Sequence, residues 1–186
     1  AAASAGAPSA GPGTYLASVE IRERLTWFGA ARNGDAEKFF GPAVASQARE
    51  RTLPVDALDV SSGGARIEVA LQGITDGPHS VALTVNGLAV GSVDFEGATP
   101  GVAAIGLPPG LLVPGDNVVG LVAAGGKDVS LEQYVRLVYP RLTLRGVGAL
   151  DFTLEAGASA RLAGFDAART QVLDVTDPDA PFRVAV

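Results

Sequence analysis

Cysteine and methionine are absent from the 186-residue chain, and histidine and tryptophan each occur once. Without cysteine there is no disulfide, no thiolate metal site and no thiol nucleophile. The single histidine, His79, has only Ser80 beside it in sequence. Alternation along a strand sends such neighbours to opposite faces, so the pair makes no nucleophile and base. Two lysines, Lys38 and Lys127, accompany a net charge of −6 with no basic cluster, which excludes nucleic acid as a partner. No run reaches the roughly 18 apolar residues of a membrane span, because Gly, Pro or a charge interrupts each one first. The chain opens at Ala1 rather than Met and carries no charged segment followed by an apolar one. It reads as an excised piece of a longer polypeptide.

What is present is β patterning in a chain that is 47% hydrophobic. Residues 1–14, "AAASAGAPSAGPGT", hold nothing with which to build a core and read as a flexible linker. From residue 17 the dominant period is two. Val19, Ile21, Leu25 and Trp27 share one phase, with Glu23 the polar intruder, so the only Trp is expected in the core. Ile67, Val69 and Leu71 form a second inward set, and Leu142 and Leu144 a third. Turn chemistry separates these runs at "SSGG", "TDGPH", "VNGL", "PPG", "VPGDN" and "AAGGKD". Val118 to Ala123 reads as a strand buried on both faces. Many short strands at this spacing give an all-β chain: a jelly-roll, galactose-binding-like β-sandwich over residues 15–146. Residues 147–186, with four short strand signals, form a small C-terminal β extension or a junction to a following domain.

Two local expectations are sharp enough to test. Asn86-Gly87 specifies a two-residue hairpin turn with Val85 facing Leu88 and Leu83 facing Val90. Val93 and Phe95 then fall out of phase, which requires a one-residue slip, expected at Gly91-Ser92. The stretch Asn33 to Glu50 is expected as a long loop, with at most one helical turn from Asp35 as N-cap to Phe39 before Gly41-Pro42.

Candidate functional residues are few. Glu23 in an inward phase should be paired, at a sheet edge or facing a cleft as a ligand or partner contact, and with Arg22, Arg24, Arg136 and Arg141 around it a salt bridge is the first reading. Tyr134 falls on the polar phase with Ser130, Glu132 and Arg136 and is the expected exposed ring. Phe39 and Phe40 either plug the end of the sandwich or form an exposed partner-binding tip. Asp174, Asp177 and Asp179 offer three carboxylates within one turn, too few for Ca²⁺, which takes six to eight oxygen ligands. They are read as turn formers, with Ca²⁺ the weaker alternative and no cofactor expected. His79, after Gly77-Pro78, is expected to tie down a turn.

The hairpin "V-x-V-N-G-x-x-V-G" followed by "L-L-x-x-G-x-N-x-V" resembles the jelly-roll modules of the galactose-binding-like and carbohydrate-binding kind. A second set of matches is more specific: Asn33 to Pro42 as "NGDAEKFFGP", Tyr139-Pro140-Arg141, Gly164-Phe165 and Asp174 to Pro178. Across roughly residues 20–186, the chain resembles the β-rich region that precedes the catalytic domain of gingipain-type cysteine peptidases in bacterial multidomain secreted proteins. That resemblance implies a non-catalytic structural or interaction module, secreted or at the bacterial cell surface. Its implied partner is the adjacent peptidase domain of the same chain, and a glycan or surface protein comes second. The family's Cys and His would lie in a caspase-like domain beyond Val186, so no catalytic residue is implied here. The alternative reading is a carbohydrate-binding module of a secreted enzyme, and a stand-alone enzyme ranks last.

Overall fold

The structure, a computed structural model, describes residues 13–144, 149–155, 157, 160–166 and 168–184. The expected linker at 1–14 lies outside the described residues except for Gly13 and Thr14. The chain divides into two compact units, one of Leu16–Arg141 and one of Ala1–Tyr15 with Leu142–Val186.

The larger unit is a jelly-roll sandwich. One sheet runs β1 (Thr14–Ile21), β11 (Ser130–Leu142), β6 (Arg66–Gly73), β9 (Pro100–Gly106), with β4 (Ala43–Val44) also on β11. The other runs β5 (Arg49–Val55), β10 (Gly115–Ala123), β7 (Pro78–Val85), β8 (Leu88–Glu96). A two-stranded ribbon, β2 (Thr26–Trp27) with β3 (Phe39–Phe40), stands apart from both. Sequence neighbours β5 and β6 lie in different sheets, and so do β8 and β9, which is how the two layers are sewn together.

The core follows the period-two reading where strands are long. In one layer Ile67 and Val69 of β6 lie opposite Leu137 and Val135 of β11, with Leu71 and Tyr139 in the same core. Leu53, Leu83 and Leu121 fill the other, and all eight aliphatic side chains among these are at most 1% exposed. On β10 one face is fully buried through Val119 and Leu121, while Val118 and Val122 are half-buried rather than enclosed on both faces. Burying a Leu- or Ile-sized side chain contributes about 1.5–3 kcal/mol, and that favours these registers over slipped ones.

The hairpin β7–β8 has its expected turn, with Asn86 at φ 49° and Gly87 at φ 82°. Val85 pairs with Leu88, but Leu83 pairs with Gly91 and Thr84 with Ala89, so the extra residue is Val90. The slip therefore sits one position before the expected Gly91-Ser92. Gly91, at φ 150°, carries the distortion, and after it Val93 and Phe95 return to the core side opposite Val81 and His79.

Three expectations are corrected. Trp27 is 62% exposed and Leu25 68% exposed, not core. β1 ends at Ile21, so the alternation that placed them no longer refers to the same sheet. No helical turn forms from Asp35 to Phe39 among the described residues; Asn33 to Ala36 is a turn closed by Ala36 N–H to Asn33 O. Phe39 and Phe40 belong to a ribbon rather than to a loop.

In the smaller unit, β12 (Val172–Asp174) pairs antiparallel with β13 (Phe182–Val184). Leu144 bridges to Ala163, and Thr143 Oγ1 donates to the Arg161 carbonyl. Of the four strands expected there, the two around "LDFTLEAG" and "SARLAGF" are not strands among the described residues.

Candidate functional site

The ribbon is the feature that alternation along the main strands did not anticipate. Thr26 pairs with Phe40 and Trp27 with Phe39, and flanking bonds run from Leu25 N–H to Phe40 O at 2.7 Å and from Phe28 N–H to Lys38 O at 3.0 Å. Two-residue periodicity then splits the side chains. Phe40, 1% exposed, turns inward onto Ala31 and Leu131, with Phe28 and Ile74 packed against them. Leu25, Trp27 and Phe39 turn outward, with Phe39 41% exposed. The Trp27 and Phe39 rings lie 5.0 Å apart at 60°, a wedge rather than a flat shelf. The Arg24 guanidinium stands 5.6 Å over the Phe39 ring and pairs with Glu37. Lys38 Nζ donates to Ala31 O and Asn33 Oδ1, fixing the turn at the ribbon's far end.

Both roots of this excursion are fastened to one point in the sandwich. At the exit, Gly41 N–H donates to Glu132 O at 2.6 Å and Glu132 N–H to Pro42 O at 3.1 Å. A Cβ on Gly41 would come within 3.1 Å of the Glu132 carbonyl, so glycine permits this approach. At the entrance, Glu23 accepts from Arg51 Nη2 at 2.7 Å, while Arg51 Nε donates to Glu132 Oε2, also at 2.7 Å. Glu23 is thus paired, as a carboxylate in that position requires, although its partner is Arg51 and none of the four arginines considered from sequence.

Glu132 is completely buried, and its Oε1 has no hydrogen-bond partner among the described residues. Burial pushes its carboxyl up from the ordinary 4.5, against the opposing pull of Arg51. Burial acts to lower Arg51, but Glu132 and Glu23 together outweigh it and hold the guanidinium charged. A faint signal for this pair was present in sequence, since Arg51 shares its phase with Leu53 and Val55. Glu132 was hidden by a second bulge, where the register shifts between Glu132 and Tyr134 and turns the carboxylate to the inner face beside Leu71.

The other sequence candidates are engaged by neighbours within the fold. Tyr134 is half-buried, with the guanidinium groups of Arg22 and Arg136 over its ring at 5.0 and 4.9 Å. It is held in a charged ladder in which Arg136 pairs with both Glu20 and Glu68, so its ring is not a free platform. His79 is buried, its Nδ1 2.6 Å from Asp128 Oδ1, its Nε2 3.2 Å from Thr75 O, and its ring stacked on Phe95 at 4.5 Å. Ser80 Oγ donates to Asp94 instead of approaching the imidazole. Asp174 Oδ1 accepts from Thr176 N–H and Asp177 Oδ1 from Asp179 N–H, as turn formers do. Hydrogen bonding from the Thr176 hydroxyl, with its backbone N–H second, holds the Asp174 carboxyl below the usual range.

No protein-family model matches the chain, and no curated protein matches it. Among solved structures it is similar to dimeric latent PorU from Porphyromonas gingivalis, at 12% identity and a TM-score of 0.55, over 75% of this chain and 14% of that one. The chain therefore spans about one-seventh of that protein's length, and the likeness establishes a shared sandwich fold. Two further matches are the CBM36-1 domain of a multidomain xylanase from the hindgut metagenome of Trinervitermes trinervoides (14% identity, TM-score 0.42, 73% of this chain and 100% of that one) and a carbohydrate-binding module CBM36 in complex with calcium and xylotriose (18%, 0.41, 65% and 98%).

Proposed function

We propose that this chain is a non-catalytic structural and interaction module of a larger secreted, gingipain-like cysteine peptidase whose catalytic domain lies outside these residues. The observation that carries the reading is the sandwich itself: three-quarters of this chain aligns with a small fraction of a much longer one. The Tyr139-Pro140-Arg141 strand and the "NGDAEKFFGP" stretch, now seen to form the ribbon and its exit, support the same assignment. In this reading residues 15–146 are the presenting sandwich and 147–186 the junction, Asp174, Asp177 and Asp179 shape a turn without metal, and the site of action is outside the cell. The reading is supported by a chain without cysteine whose single histidine is buried and bonded to Asp128 and the Thr75 carbonyl. The test is to read the parent frame past Val186 and assay the full polypeptide for thiol-dependent peptidase activity with and without residues 15–146. Absence of a downstream domain carrying Cys and His would sink the assignment.

The alternative, a carbohydrate-binding module, is favoured by one observation: the only Trp is exposed rather than buried. A glycan array read together with quenching of Trp27 emission separates the two readings.

A further inference from the structure

We propose that Glu132, Arg51 and Glu23 form a proton-operated clasp, which holds the ribbon at residues 25–40 against the sandwich while Glu132 is neutral and frees its two roots when Glu132 ionises. Such a clasp operates whether or not a peptidase domain follows in the same polypeptide.

The ribbon's own roots cover the carboxyl group. Glu132 is wholly buried, and each of its oxygens lies under a different root. Oε2 accepts from Arg51 Nε at 2.7 Å, and Arg51 is pinned through Nη2 by Glu23, just ahead of the ribbon's entrance. Oε1 lies under the exit, where a Cβ on Gly41 would stand 3.7 Å from it and 3.4 Å from the Glu132 Cβ. The bonds from Gly41 N–H to Glu132 O and from Glu132 N–H to Pro42 O hold that lid in place. Lifting the roots is therefore what brings water to the carboxyl group.

Ionisation is the state this lid opposes. One oxygen is met by Arg51, while Oε1 has no partner among the described residues. A neutral acid leaves a buried hydroxyl at that point, which costs far less than a buried charge. The surrounding charges do not make up the difference. Arg51 serves two carboxylates at once, and Glu23 repels Glu132 across it. Arg49, on the same strand as Arg51, attracts Glu132 more weakly, and its own Nε donates to the Ala43 carbonyl at 2.9 Å. Gly41, Pro42, Ala43 and Val44 on the exit side carry no titratable group, and neither does Leu71, opposite Glu132 on β6. Burial thus prevails and raises the carboxyl above 4.5 while the ribbon is closed, and a hydrated Glu132 under lifted roots returns toward that ordinary value.

Linkage fixes the sign. The closed ribbon holds the proton more tightly than the open one does. Opening therefore becomes easier as pH rises above the ordinary carboxylate value, by up to about tenfold per unit for one proton, and levels off above the raised value. The exposed Leu25, Trp27 and Phe39 are held rigidly on the acid side of this range and loosened on the other.

The experiment is amide hydrogen exchange followed by NMR on the 186-residue chain from acid to neutral pH, with the intrinsic rate of each amide divided out. The opening constant read at the Gly41 amide is expected to rise by up to about tenfold per pH unit in the native protein and to stay flat in Glu132→Gln. That variant keeps every other titration, His79 included, and puts an amide in place of the neutral acid. Gly41 is also expected to exchange faster at every pH than Leu121, which is paired to strands on both sides, because the opening is local. A flat native profile overturns the proposal, and so does an equal rise in the variant or a Gly41 amide no faster than Leu121. Should Glu132→Gln fail to fold, the side-chain carboxyl carbon of Glu132 in the native protein decides instead. Its titration midpoint is expected at the pH where Gly41 exchange levels off, and a separate midpoint overturns the clasp.

Discussion

Arg51 and Glu132 come from opposite sheets and meet in the interior, Nε to Oε2 at 2.7 Å, with the carboxylate wholly buried and the guanidinium 13% exposed. Breaking such a pair strands a charge without water. Arg51→Ala, which leaves Glu132 without its cation, is therefore expected to cost about 3–5 kcal/mol in urea unfolding, and Glu132→Ala less, because Arg51 keeps its pair with Glu23. Because burial raises the Glu132 carboxyl above 4.5, the native state binds this proton more tightly than the unfolded chain does. Its contribution to stability is complete below the ordinary value and is lost as pH rises through the raised one. Glu132→Gln should remove that segment of the pH profile, and a variant with an unaltered profile would contradict the assignment.

Glu20 gives the opposite sign. Burial alone would raise its carboxyl, but the bonds and charges of Arg136 and Arg22 outweigh it and hold it low. Stability from this group is present above the ordinary carboxylate value and disappears as pH falls through the depressed one. At this partly exposed site it is worth about 1 kcal/mol at most. Glu20→Gln is expected to flatten the acid limb of a melting-temperature profile, with salt reducing the difference between the two proteins.

Gly73 should resist any side chain. A Cβ there would lie 2.1 Å from Gly97 O and 2.7 Å from His79 Nε2, and neither neighbour can retreat while His79 is held by Asp128 and stacked on Phe95. Gly73→Ala is expected to destabilise by about 1–3 kcal/mol or more, measured by urea unfolding. A neutral result would mean that the Gly97 turn moves freely.

Asn86 joins the β7–β8 turn to its surroundings, with Nδ2 donating to Leu111 O and Asn117 Oδ1, and Oδ1 accepting from Val118 N–H. Asn86→Gly keeps the positive φ and loses only these bonds, whereas Asn86→Ala loses both. The expectation is about 1 kcal/mol for Gly and about 2 kcal/mol or more for Ala in thermal unfolding. If the two are equal, the bonds rather than the turn geometry dominate.

These residues also show what could be read from sequence. The Asn86-Gly87 turn, the inward sets on β6 and the need for a slip in β8 were legible because each follows from local chemistry and a single period. The slip's location at Val90 was not, since a bulge is chosen jointly by both strands of the ladder. Trp27 was misplaced for a related reason: alternation has meaning only while the chain stays in one sheet, and nothing in "IRERLTW" announces that β1 stops at Ile21. The Arg51–Glu132 pair spans 81 residues, and its carboxylate changes face at a bulge, so no local pattern could join the two. Glu23 was legible as a residue in need of a cation, while the identity of that cation was a tertiary fact.

The two-sided ribbon divides mutational tolerance between adjacent positions. Phe28 and Phe40 are constrained by the Ala31 and Leu131 packing they share, whereas Leu25, Trp27 and Phe39 on the outer side are 68%, 62% and 41% exposed. Polar substitutions at the outer positions are therefore expected to move the melting temperature far less than the same changes at Phe28 or Phe40.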